Sequence, residues 1–161
     1  MKFVLQGHYR QKIFFFSLLV TFAVAGLQSC SVNFVPPYDK TLSDQVTQLM
    51  KEIDVFYLEM QEYNEDERNY ERFIEDYIQI EAELKSLYFK NKVRPLNEES
   101  TENCLIALQQ WQKYKARHKA RDSLSTANIE LQNTYMHDVL YYILVAEEAK
   151  KDELNQSSKK E

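Results

Sequence analysis

Five cations crowd nine consecutive positions of this chain, Lys113, Lys115, Arg117, Lys119 and Arg121, with His118 among them. Cations at that density grip anionic surfaces: lipid headgroups, a cell-envelope polymer or an acidic protein. Near a bilayer each contributes about 1 kcal/mol. Their spacing divides them. At about 100° per helical residue, Lys113, Arg117 and Arg121 form one stripe, and Lys115 and Lys119 form another about 200° away. They straddle a face instead of making one patch. The simpler reading is that they complement a helix C-terminus and pair with acids on a neighbouring helix.

Other constellations fall short of chemistry. A di-metal carboxylate bundle needs a Glu three residues before each of two His ligands, whereas Lys115 and Thr134 precede His118 and His137. Met50, Met60 or Met136 with a His could ligate haem, but methionine at helical spacing is ordinarily core packing. The acidic run Glu59, Glu62, Glu65, Asp66 and Glu67 lacks the alternating ligands and the glycine of a calcium loop. Glu147 and Glu148 are adjacent and diverge on a helix, so they cannot act together on one bond. His118 and Asp122, four apart, read as a capping or surface pair. No nucleophile elbow or phosphate-binding glycine loop is present. We expect no enzyme, no metal and no cofactor.

The elements that must position these residues are helices. The two glycines, Gly7 and Gly26, both precede residue 30. The remainder therefore lacks the residue that β-turns, bulges and close phosphate approach require. The charge also excludes general nucleic-acid binding: Lys2, Arg10 and Lys12 are the cations before residue 30, which leaves 17 basic against 25 acidic residues beyond it, a net charge of −8.

Residues 1–29 read as an export signal. A cationic segment without acids precedes an apolar run from Ile13 to Gly26, which is 14 residues long and shorter than the roughly 20 that span a bilayer as a helix. Leu27-Gln28-Ser29-Cys30 follows. It resembles the lipobox of bacterial lipoproteins, and the resemblance implies cleavage before Cys30, acylation of Cys30 (palmitate among the acyl groups) and attachment to a membrane. An uncleaved anchor is the alternative. Ser31 is not the Asp that resembles an inner-membrane retention signal, so the analogy favours the outer membrane. With Cys30 acylated, Cys104 has no disulfide partner and reads as a small buried residue.

Beyond residue 29 we expect an all-α fold: a tether at 30–39, stiffened by Pro36-Pro37, an antiparallel up-down four-helix bundle over 40–151, and a disordered polar tail at 152–161. The first helix, 39–63, carries a seam of Leu42, Val46, Leu49, Ile53, Phe56, Met60 and Tyr63. Asn64 and Glu67 have cap-then-acid spacing and start a second helix over 65–92. The seam nevertheless continues in phase through Tyr70, Ile74 and Tyr77, so one helix over 40–92 is the alternative. Pro95 ends that segment. A third helix, capped by Asn97 or Ser100, runs to Ala120 with Cys104, Ala107, Leu108, Trp111, Tyr114 and His118 facing inward. A fourth, 125–151, turns Leu131, Tyr135, Met136, Val139, Leu140, Ile143 and Ala146 inward.

The turn Pro95-Leu96-Asn97, the closing run Lys115-Ala116-Arg117-His118 and the stretch from Leu144 to Lys150 look like a group of small helical bacterial lipoproteins of unknown function. That resemblance implies no chemistry. The expected role is a membrane-anchored, non-enzymatic module that meets an envelope protein or polymer. The alternative is a carrier that holds a small apolar ligand or haem among aromatic side chains.

Overall fold

The computed structural model describes residues 36–157, and Cys30 and the segment before it lie outside them. Four α-helices, α1 (Lys40–Gln61), α2 (Ile74–Lys92), α3 (Glu98–Arg121) and α4 (Thr126–Ser157), make up the fold, with no strand among the described residues. The helices close a ring as a helical bundle: α1 packs on α2, α2 on α3, α3 on α4, and α4 back on α1.

Helix α1 starts because Asp39 accepts hydrogen bonds from the free Thr41 and Leu42 amides, at 2.9 and 3.2 Å. Its seam is buried from Leu42 through Val46, Leu49, Ile53 and Phe56 to Met60, but the helix ends at Gln61, before the expected limit, and Tyr63 beyond it is half-buried. Burying each such side chain stabilises the fold by about 1.5–3 kcal/mol. At mid-height the core is aromatic. Phe56, Tyr57, Tyr77 and Trp111 meet edge-on or tilted, with ring centroids 4.8–6.1 Å apart. The Trp111 indole N–H donates to the Tyr77 carbonyl at 3.1 Å, and the Tyr57 hydroxyl donates to buried Gln132 at 3.1 Å. Both polar tips thus find partners in the dry interior.

Residues 40–92 form two helices, and the second begins later than the Asn64–Glu67 spacing indicates. Glu67 does accept from the Asn64 amide, at 3.2 Å, but the helix it starts lasts a single 3-10 turn (Glu65–Glu67). Asn69 caps a second 3-10 turn (Tyr70–Phe73), and only then does α2 begin. Arg68 is the cause. It is buried, and its guanidinium donates to the Tyr63 carbonyl at 2.8 Å, to the Leu124 carbonyl at 3.1 Å and to the Thr126 hydroxyl at 3.0 Å. Aiming inward there takes Arg68 out of helical geometry, at φ −84°, ψ 54°.

Among the described residues, two without glycine's freedom take left-handed backbone, Leu96 (φ 58°) and Asp122 (φ 51°). Asp122 ends α3, a role that glycine usually fills, and its carboxylate accepts from the Tyr70 amide at 2.8 Å. Asn97 stands at the start of α3, but its side chain makes no cap and turns into the bundle instead.

Helix α4 departs furthest from expectation. Leu131 and Tyr135 are exposed, and the buried seam runs Ile129, Gln132, Met136, Leu140, Ile143, Glu147, Lys150. Three polar residues occupy core positions on it. The helix also continues to Ser157, beyond the limit of residue 151. No proline or glycine interrupts those last turns.

Candidate functional site

The polar residues of α4 belong to a buried network at one end of the bundle. Arg94, in the turn between α2 and α3, grips the Glu147 carboxylate with two parallel hydrogen bonds of 3.0 and 3.1 Å. Lys150 reaches the same carboxylate at 2.6 Å, and the Asp39 amide donates to it at 2.7 Å. Arg94 also donates to the Pro37 carbonyl. Lys150 continues to Asn97 at 3.0 Å, Asn97 to Asn91 at 2.6 Å, and Asn91 to the Cys104 sulfur at 3.2 Å. The start of α1, the α2–α3 turn and the late turns of α4 are thereby tied to the residues that lead into the bundle. A second layer lies nearer the surface, where Glu148 accepts from Tyr38, Ser43 and Lys151.

Electrostatics make this network structural. Burial pushes the Glu147 carboxyl up, but hydrogen bonds from Arg94, Lys150 and the Asp39 amide outweigh it and hold the group below its ordinary value. Burial pushes the Cys104 thiol up to about 12, with the Glu147 charge adding to the effect. Cys104 is therefore a thiol at neutral pH and not a nucleophile.

The opposite end holds a second network. His118 is fully buried. Its Nε2 lies 2.8 Å from the Arg68 carbonyl, which can only accept, so Nε2 carries the proton. Nδ1 is then free to accept from the Tyr77 hydroxyl at 3.1 Å. Burial lowers the imidazole below its ordinary value, against the opposing pull of the Arg68 carbonyl and Asp122. Of the expected capping or surface pair of His118 with Asp122, the cap is present, since the Asp122 amide donates to the His118 carbonyl at 2.8 Å, but the imidazole itself is a buried, neutral internal link and not a surface group.

The five cations of α3 lie toward this second end and do not converge. Lys115 pairs with Glu81 of α2 at 2.9 Å. Lys119 stands 5.8 Å above the Tyr70 ring, and Lys113, Arg117 and Arg121 are exposed. Burial pushes the Glu81 carboxyl up, yet hydrogen bonds from Gln112, Lys85 and Lys115 bring it down to about 2. His137 lies on another face, 2.9 Å from Asp54. Among the described residues no three His, Cys, Asp or Glu side chains are placed to hold a metal ion. Met60 and Met136 are core residues, and Met50 packs half-buried against the core. Between α1 and α2 a cavity of about 190 Å³ is lined by Lys51, Glu52, Phe56, Glu59, Asp76 and Ile80, and wider, more open hollows of about 430–600 Å³ lie elsewhere on the surface, one of them lined by Tyr88, Arg94, Asn97 and Leu105.

No protein-family model, curated protein or solved structure matches this chain. Its function rests on its own residues. Sequence reasoning missed the Arg94–Glu147–Lys150 network, and the signal for it was present: Ile129, Met136, Leu140 and Ile143 set a phase that runs on to Glu147 and Lys150.

Proposed function

We propose that the chain is a bacterial lipoprotein precursor, cleaved before Cys30 and anchored by acyl groups on Cys30 to an envelope membrane, with the outer membrane favoured. The body is a non-enzymatic module that meets an envelope protein or polymer. The observation that carries this reading is Leu27-Gln28-Ser29-Cys30 directly after a cationic and then apolar segment. The helices run up-down-up-down, each antiparallel to its neighbours. Contacts that join Arg94 to Glu147 at one end, and Arg68 to Leu124 at the other, support that path.

An interaction role fits better than a carrier role. The bundle interior is filled by Trp111, Tyr77, Tyr57 and Met60, all buried, and a close-packed interior admits no ligand without separating the helices. The Cys104 thiol and the His118 imidazole are both buried and bonded, which disfavours catalysis by either.

Mass spectrometry of the protein purified from envelopes tests the anchor. A mature N-terminus at Cys30 that carries acyl chains is expected, and an intact, unacylated precursor would refute it. Crosslinking in intact cells, followed by purification, tests the module. A reproducible envelope adduct is expected, and its absence across growth conditions would count against the reading.

A further inference from the structure

The α2–α3 turn carries apolar side chains that the bundle does not use. Val93 is 80% exposed, the largest value among the exposed large apolar residues, with Phe89 one helical turn before it at 56% and Leu96 in the turn at 51%. Pro95 between them is exposed as well. Leu96 is also held at left-handed φ. Glycine or asparagine would take that conformation at less cost, and a half-exposed leucine returns little to the core. A strained, outward-facing apolar residue points to a use outside the fold.

The position of this turn names the occupant. Arg94, between Val93 and Pro95, holds the Pro37 carbonyl, so the chain enters the bundle beside it. Pro36 follows Cys30 by six positions, and six steps of roughly 3.3 Å reach no more than about 20 Å. The other end of α3 is farther away, since about twenty helical rises of 1.5 Å make 30 Å. We infer that Phe89, Val93 and Leu96 rest in the interfacial region of the bilayer to which Cys30 is anchored, so that the bundle stands on this turn with the α1–α2 and α3–α4 connections turned away. The inference rests on the lipoprotein reading above. Charge sets its character. Exposed Lys90 and Lys92 are offset by exposed Glu98 and Glu99, so the contact is apolar and does not require anionic lipid. The acidic Glu62, Glu65, Asp66 and Glu67 lie at the end turned away.

Nitroxide labels at Val93→Cys, and separately at Leu131→Cys, test this on the acylated mature protein reconstituted in phosphatidylcholine vesicles. Both positions are exposed, and buried Cys104 stays unlabelled. The expected result is a several-fold higher ratio of oxygen to nickel-complex relaxation at Val93 than at Leu131, unchanged by high salt. Equal, water-like ratios with Cys30 acylated would overturn the bilayer contact and leave the lipoprotein reading intact. So would membrane-like ratios at both sites, which would mean a bundle lying on its side. A Val93 label shielded from both relaxants would signal contact with a second copy of the chain and likewise overturn it. A mature chain without acyl groups would remove both readings.

Discussion

Replacing Glu147 by alanine isolates the buried network at the end of the bundle where Arg94 lies. The Glu147 side chain is 1% exposed, and Lys150 and Arg94, at 9% and 15%, are also largely removed from water. Deleting the carboxylate leaves two cations facing each other, with the Asp39 amide unpaired. Breaking a buried pair from one side costs about 3–5 kcal/mol. The partial exposure of Arg94 lets its guanidinium swing toward water, which puts the expected loss near the lower end, about 3 kcal/mol. For a domain of this size that lowers the unfolding midpoint by roughly 10 °C. Circular dichroism at 222 nm during a thermal ramp measures it. Glu148→Ala removes the adjacent carboxylate, which lies at the surface, and should leave the midpoint within experimental error. Replacing Arg94, Glu147 and Lys150 together by methionine should regain most of the loss, because the desolvation of the charges vanishes with their attraction. A midpoint for Glu147→Ala equal to that of Glu148→Ala would refute the claim that this network holds the end together.

Acid should destabilise the protein in two stages. Burial keeps His118 below its ordinary 6.5, so the unfolded chain binds the extra proton first, and stability, complete above 6.5, falls as the pH drops toward the folded value. Glu147 and Glu81 are held below 4.5, Glu81 at about 2, so their contribution is complete above 4.5 and is lost on further acidification. Urea midpoints between pH 7.5 and 3 check the sequence of events, and a midpoint that rises from pH 7 to 5 would contradict the buried neutral imidazole. Cys104, a thiol held up to about 12, should resist an aromatic disulfide reagent at pH 8 until denaturant is added. One thiol should then react in the acylated protein, and two would contradict the blocked Cys30.

Much of this arrangement was legible in the residues. The seam of α1 is unbroken, and its burial follows directly from its period. Pro95 marks the end of α2 within three residues. What the apolar pattern did not name were the partners of the polar side chains that serve the core. Arg68, surrounded by acids and asparagines, looks like a solvated residue in a helix start, yet it replaces a turn of helix by bonds to carbonyls from two connections. Asn97 looks like a cap and links Lys150 to Asn91 instead. On α4, Leu131 and Tyr135 drew the apparent face toward themselves because Gln132, Glu147 and Lys150 do not count as apolar. Their burial depends on partners more than 50 positions away in sequence, and no local pattern encodes those. In the basic run of α3, Lys115 turns to Glu81, Lys119 lies over the Tyr70 ring, and Lys113, Arg117 and Arg121 are exposed.

Trp111 is the single tryptophan of the chain, and it lies where three helices meet, with Phe56 and Tyr57 of α1 and Tyr77 of α2 against its ring. Light absorbed by those tyrosines passes to the indole over a few ångströms, and its emission reports on a water-free site. The protein thus carries its own optical gauge: a partner or bilayer that loosens α1 from α3 reddens the fluorescence without any label, and one that only touches the outside leaves the colour unchanged.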